Sequence, residues 1–344
     1  MSKQKNGPIF VVGTPRSGTT LTGRILGKHS KIYMPGETPF FHDIYSRRSQ
    51  LGELTTEAAR RKVADQLLSL HSRYNSPGMH QLVEKIFSDK ALLHQLYTDC
   101  DSYEAMFSFF MAQLAGSEGK TRWGNNVPND IFYIDEIMSL YPNAIILICV
   151  RDIRDFLVSY KEKWRRSPGA NAERVKNLYH PLLTTLLWKS SMRRIPEVLS
   201  KVPEGNAMLV KYEDLTTNPQ EILQTICQTL GEEFESDMMN IETNNSSTLT
   251  QQRGIFASSV GRWKTSLDPA EAMIAQWFAR RELLDLGYGI EQLPIRLGKV
   301  AAILVSFPFA AVRAVLANKG RRASLVPYLF SRLRSLFVSQ RSAR

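Results

Sequence analysis

A mostly parallel α/β sheet with helices on both faces is the architecture this sequence predicts, and three observations predict it. Three short apolar runs, at 9–12, 144–150 and 207–210, each precede a segment with helical periodicity. Each run is continuously apolar rather than alternating, as a strand buried on both faces reads. The first run passes into its helix through a turn bounded by Gly13 and Gly18.

The elements follow in chain order. Residues 9–12 end at Gly13, and 19–28 read as a helix with Leu21, Ile25 and Leu26 on one face. Helical patterns cover 57–71 and 103–114. The second apolar run follows Pro142 and Asn143 and feeds a helix over 153–164. A further helical stretch covers 182–199. The third run leads through a turn at Asn218 and Pro219 to a helix over 221–230. Residues 237–262, rich in Asn, Ser, Thr and Gln, read as a loop. A helix over 269–286 closes at Gly287 and Gly289.

Charge divides the chain. The net charge of +11 suggests nucleic acid, but residues 291–344 hold ten bases and one acid, which is 10 − 1 = +9. The remaining 290 residues therefore carry only 11 − 9 = +2, so a nucleic-acid partner is not expected. We read 1–290 as the main domain and 291–344 as a basic tail. Within the tail, 300–312 is apolar, interrupted by Pro308, and short of the ~20 residues that span a bilayer. Val326, Leu329, Phe330, Leu333, Leu336 and Phe337 recur at helical spacing among arginines, the pattern of a basic amphipathic helix lying on an anionic membrane. Cys100, Cys149 and Cys227 have neither zinc nor disulfide spacing and read as buried thiols. Residues 1–7 are short and polar, so no signal peptide is expected, and a cytoplasmic protein, peripheral on the cytoplasmic face of a membrane, is.

The strongest chemical signal is Gly13-Thr14-Pro15-Arg16-Ser17-Gly18-Thr19-Thr20, set between strand and helix. Glycines there let backbone N–H groups turn toward a phosphate, aided by the helix dipole. The outline is that of a P-loop, with Thr19 where the triphosphate-binding lysine belongs. That change argues against a P-loop kinase or NTPase, and Arg16 supplies a cation instead.

These residues resemble the sulfotransferases that use 3′-phosphoadenosine 5′-phosphosulfate (PAPS). Pro-Arg-Ser-Gly-Thr-Thr-Leu is similar to their 5′-phosphosulfate loop, which implies that Arg16, Ser17, Gly18, Thr19 and Thr20 hold that group. Arg151 and Ser159, eight residues apart, match the family's 3′-phosphate pair. Lys163, four residues after Ser159, is read on the same helix face. Val210-Lys211-Tyr212-Glu213-Asp214-Leu215 resembles a strand end whose tyrosine lies by the adenine, which implies that role for Tyr212. Gly261-Arg262-Trp263-Lys264 resembles a late segment that folds over the nucleotide, which adds Lys264. The match spans residues 8 to about 290 and leaves the tail outside.

Sulfuryl transfer needs a base for the acceptor hydroxyl and cations for the leaving oxygen. Glu37, in Met34-Pro35-Gly36-Glu37-Thr38-Pro39, matches the base of tyrosylprotein sulfotransferases and related bacterial enzymes, with His42 as runner-up. One departure stands out. A lysine that assists the leaving group is replaced by Asn126, so Arg16, Lys120, Arg122 or Lys264 must compensate or activity is weaker. No metal is expected, because no His/Asp/Glu cluster has ligand spacing. The reading is an enzyme that moves sulfuryl from PAPS to a hydroxyl of a lipid, glycolipid or lipid-linked saccharide. A soluble small-molecule acceptor, a P-loop kinase and a decayed membrane adaptor are its alternatives, and the oligomeric state is left open.

Overall fold

Continuous apolar runs become strands here because both faces of the sheet are covered. The computed structural model describes residues 6–73, 77–166, 170–241, 254–294, 296–318, 330 and 332–336. Five strands, β1 (Ile9–Gly13), β2 (Ile32–Tyr33), β3 (Arg122–Asn125), β4 (Ile145–Val150) and β5 (Ala207–Lys211), form one sheet in the order β2-β3-β1-β4-β5. Every pairing is parallel, and Ile9 aligns with Gly124 on one side and Ile145 on the other. Phe10 and Val12 enter one core with Ile146 and Ile148, whereas Ile9 and Val11 enter a second with Ile145 and Leu147. β1 lies at the centre, where the chain winds outward in both directions. Its carboxyl end is the crevice in which open α/β sheets bind ligands.

Six helices frame that crevice and the tail: α1 (Thr19–Leu26), α2 (Ile153–Lys161), α3 (Pro181–Met192), α4 (Tyr212–Thr217), α5 (Pro269–Phe278) and α6 (Leu297–Asn318). Several boundaries correct the sequence reading. The expected helix over 153–164 stops at Lys161, and a 3₁₀ turn follows over Lys163–Arg166. The stretch at 182–199 divides into α3 and Ile195–Lys201, whose early Pro196 suits a helix start and not a helix interior. The stretch at 269–286 divides at Ala279 into α5 and Arg280–Asp285. Cys100, Cys149 and Cys227 are free and buried.

The tail departs most from expectation. α6 does not break at Pro308 but runs through it for 22 residues, about 33 Å. By length and composition its Leu297–Ala317 stretch is sufficient to cross a membrane. Val300 joins Leu182, Met273 and Ile274 in a small third core, with Ile303 and Phe307 packed on it. Of the expected amphipathic stripe, Val326, Leu329 and Phe337 lie outside the described residues. In the described part the polarity is reversed, since Arg332 and Ser335 are buried and Phe330 and Leu333 exposed.

Gly13 ends β1 at φ +144, and a Cβ there would stand 2.2 Å from the carbonyl oxygen of Cys149 on β4. Gly13→Ala therefore combines a disfavoured backbone conformation with a clash against the central strand. Stability should fall by about 2 kcal/mol or more, measured by denaturant unfolding.

Candidate active site

The turn from β1 into α1 is built on left-handed conformations. Gly18 caps α1 at φ +97, and Arg16, a non-glycine, is held at φ +77. A side chain in that region stores strain that surrounding contacts must hold. Here Arg16 Nε donates to Ser159 Oγ at 3.2 Å, and its carbonyl accepts from Arg151 at 3.4 Å. Gly18 has a packing reason as well, because a Cβ there would lie 2.9 Å from Cδ2 of Tyr212.

Arg151, at the end of β4, is buried. It donates to the Ser259 carbonyl at 2.9 Å, and its guanidinium lies 4.2 Å above the ring of Tyr212, the first residue of α4. Its own carbonyl accepts from the Trp188 indole of α3 at 2.9 Å. Around these groups a cleft opens at the carboxyl ends of β1 and β4. Arg16, Gly18, Thr19, Thr20, Arg151, Ser159 and Tyr212 line it, as do Leu21, Gly254, Phe256 and Ser259. Ser17 lies buried beneath. Among the described residues, the Thr14 and Ser17 hydroxyls and Arg151 Nε are buried with no hydrogen-bond partner. A cleft lined by two guanidiniums, at a helix N-terminus and with donors to spare, suits an anionic, phosphate-bearing ligand.

Sequence reasoning missed the support for this cleft. Asp155 of α2 accepts from the backbone N–H groups of Gly261 and Trp263, at 2.6 and 2.8 Å, and so fixes the segment that carries Ser259. Burial pushes its carboxyl up, and Arg151 and the two amides draw it back. Glu213 accepts from the Asp152 N–H and the Tyr288 hydroxyl, at 2.9 and 2.8 Å. The repeated Arg-Asp pairs at 151–152 and 154–155 were the visible signal. Arg154 folds back on Asp152, which left Asp155 for the loop.

Glu37 follows β2, outside the lining of the cleft. The Asn125 side chain pins its neighbour, accepting from Thr38 N–H at 3.3 Å and donating to Thr38 C=O at 2.9 Å. Glu37 is open to solvent, yet protein packed around it raises its carboxyl above the usual range, and Lys163 draws it down. Asp130, fully buried, is held well above the carboxylate range by desolvation and by Glu37. Lys163 thus acts on Glu37 from the 3₁₀ turn and does not continue the Ser159 helix face. His42 is buried, 3.0 Å from the Tyr133 hydroxyl. Lys264 is exposed, pairs with Glu291 at 2.9 Å and lies outside the cleft lining, contrary to expectation.

The other compensating cations are also engaged elsewhere. Lys120 donates to the carbonyls of Gly27 and Ile32, and Arg122 to those of Gly7 and Leu230 and to Glu232. Of the four proposed substitutes for the missing lysine, only Arg16 reaches the cleft. Asn126 is buried against α1, where a Cβ on Gly23 would meet its Nδ2 at 2.8 Å.

Residues 8–236 match the profile of the Sulfotransferase family. The chain belongs to this family. It is 25% identical over 234 residues to a putative protein-tyrosine sulfotransferase of Caenorhabditis briggsae, covering 67% of this chain and 68% of that protein. It is 23% identical over 346 residues to carbohydrate sulfotransferase 1 of Danio rerio, covering 86% and 81%. A 24% identical match to an uncharacterized protein of Aquifex aeolicus covers 80% of this chain but 33% of that protein's length. Among solved structures, the sulfotransferase domain from the curacin biosynthetic pathway superposes with a TM-score of 0.54 at 20% identity, covering 83% of this chain and 99% of that domain. The fold is thus a sulfotransferase fold, and the family transfers sulfuryl groups.

Asp155→Ala removes the acceptor for two backbone donors at once, each costing about 1–3 kcal/mol when left unpaired. The amides of Gly261 and Trp263 should then exchange with deuterium faster by about tenfold or more, while those of β4 keep their protection.

Proposed function

We propose that this sulfotransferase takes PAPS as donor and sulfates a hydroxyl of a lipid, glycolipid or lipid-linked saccharide at a membrane surface. The observation that carries the donor half is the cleft itself. Arg16, Arg151 and Ser159 converge there, and Thr19 stands where an NTPase needs lysine. When bound, PAPS supplies an activated sulfuryl group. The β1–α1 loop from Arg16 to Thr20 and the α1 dipole would hold its 5′ end, and Arg151 with Ser159 would hold the 3′-phosphate. Tyr212 backs Arg151 and keeps its guanidinium oriented. Glu37 would take the proton from the acceptor hydroxyl, and Arg16 would stabilise charge on the departing oxygen.

The acceptor half rests on the tail, whose +9 charge and apolar α6 suit an anionic bilayer. The relatives' names point to different acceptors, a protein tyrosine and a carbohydrate, and so do not choose for this chain. A membrane-held hydroxyl compound is the class that such a tail would bring within reach.

Calorimetric titration tests the donor. The product nucleotide 3′,5′-PAP should bind ~10- to 100-fold more tightly than ADP or AMP, from one desolvated Arg–phosphate contact of ~1.5–3 kcal/mol. Arg151→Ala should abolish that preference; ATP binding as well as PAP would sink the assignment.

Glu37→Gln should lower kcat by ~10²–10⁴ with PAP affinity unchanged. The pH dependence follows from the raised Glu37 carboxyl. A base acts deprotonated, so kcat should climb with pH along a limb above the ~4.3 of a free glutamate. Lys163 favours the carboxylate, so Lys163→Ala should move that limb to higher pH; movement to lower pH would assign the limb to another group.

A further inference from the structure

Resting on the membrane half of that reading, we infer that the protein seats flat on one leaflet through a composite apolar face gathered around α3, with α6 lying in the membrane plane and not crossing it. Three separate stretches of chain pack on α3, and each turns apolar side chains to solvent.

The first is α6. Val300, Ile303, Phe307 and Ala310 lie on one side of this helix, and the first three meet α3 and α5 through the small third core. Val305, Phe309, Val312 and Leu316 recur at intervals of four, three and four on the opposite side, with Phe309 77% exposed. The buried side is tied by polar contacts too. Ser306 Oγ lies 3.2 Å from His180 Nε2 at the start of α3, and Lys299 pairs with Asp268 at 2.5 Å. A crossing helix would have to leave these contacts and expose Leu182, Met273 and Ile274. α6 is therefore long enough to span but built to lie down.

The second stretch is the described part of the C-terminal segment, 330 and 332–336. A membrane helix that faced the body with its apolar side would bury Phe330 and Leu333. Here Arg332 goes inward instead. It donates to the Leu187 carbonyl and to the Ser190 and Ser191 hydroxyls of α3, at 2.8, 2.9 and 2.8 Å, and to Asn129 Oδ1 at 2.6 Å. Its guanidinium lies 4.3 Å over the Phe132 ring. Arg193 adds a bond to the Leu336 carbonyl. Pinned on its polar side, the segment holds Phe330 and Leu333 outward, 66% and 53% exposed.

The third stretch belongs to the body and was invisible as a membrane element in the sequence. Trp277 and Phe278, at the end of α5, and Leu284 are exposed beside Lys189, Arg280 and Arg281, with Asp285 pairing with Arg281 at 3.6 Å and leaving the patch net positive. Lys189 of α3 donates to the Phe278 carbonyl at 2.5 Å, which fixes this corner to the same helix. An exposed tryptophan among cations is the side-chain set that settles at the headgroup level, and the cations complement anionic phosphates. That charge complementarity favours a lipid surface over a second copy of this +11 chain, which like charges would repel.

The full-length protein, with vesicles of 7:3 phosphatidylcholine:phosphatidylglycerol, provides the test. We expect cosedimentation, release by alkaline carbonate, and a blue shift of tryptophan emission that is lost in Trp277→Phe. Phe309→Glu should weaken vesicle binding by about tenfold or more without changing PAP affinity. Retention of the protein through carbonate treatment would overturn the in-plane seating. Binding unaltered by Phe309→Glu, with no Trp277 shift, would overturn the composite face while leaving a membrane-acting sulfotransferase intact. No vesicle binding at all would overturn both this inference and the membrane acceptor. A dimer in solution that Phe309→Glu dissociates would give the face to a second copy. Loss of PAP binding with vesicle binding retained would strike the donor assignment alone.

Discussion

Arg151 stands at the end of β4 with its guanidinium taken out of water, and its hydrogen bonds go to the carbonyls of Arg16 and Ser259 instead of to a carboxylate. Burying a cation without a bonded anion costs several kcal/mol, and folds retain such an arrangement where the cation has a ligand to meet. Asp155 and Glu213 lie near enough to feel the charge, yet each directs its own oxygens to backbone N–H groups or to Tyr288. Their effect is to steady the surroundings and to leave the positive potential facing the cleft. The same residue ties five segments together: the β1–α1 turn, the end of β4, the 259–263 segment, Tyr212 of α4 and Trp188 of α3. Whatever displaces Arg151 displaces all of them.

How far the sequence foretold this depends on how each element is held. β1 and β4 were legible because two-sided burial writes a continuous apolar run, and β5, a half-buried edge strand, keeps a short run of its own. β2 has two residues, and β3 is Arg-Trp-Gly-Asn; both join the sheet through backbone pairing that leaves no hydrophobic pattern. Much of the cleft was legible because Arg16, Gly18, Thr19, Thr20, Arg151 and Ser159 cluster in two short motifs. Glu37 and its surroundings were only half so, since Asn125, at the end of β3, and Asp130, in the turn after it, come from about ninety residues away. Lys163 was misplaced by a helix boundary, and Lys264 because nothing local foretells its pairing with Glu291. The tail inverted because spacing gives the two sides of a helix but not which one meets the body. Four polar acceptors on α3 and the 128–132 turn, far away in sequence, decide that for Arg332.

Helix α3 joins the two functional halves. Its Trp188 holds the Arg151 carbonyl, while the neighbouring Leu187, Ser190 and Ser191 hold Arg332, and its first turns receive α6. Interiors at crystal-like density transmit displacements of neighbouring side chains. The face proposed to seat on lipid is therefore one helix away from the arginine proposed to grip the nucleotide.

The replacement of a leaving-group lysine by Asn126 acquires a structural meaning in this setting. Lys120, Arg122 and Lys264 each bond to carbonyls or carboxylates elsewhere, so of the four cations weighed for that role Arg16 is the one that lines the cleft. Arg16 is also the one described non-glycine residue with a left-handed backbone, and that strain persists because Ser159 and Arg151 over-determine its position. A donor already aimed at the site reorganises little as charge develops, and preorganisation of this kind supplies the largest share of electrostatic catalysis. In the proposed reaction, the strained turn would do with one fixed guanidinium what a flexible lysine would do with its ammonium group. On that reading the cation and the loop cannot be separated: a change that relaxes the backbone at Arg16 would move the guanidinium and deform the turn in the same motion.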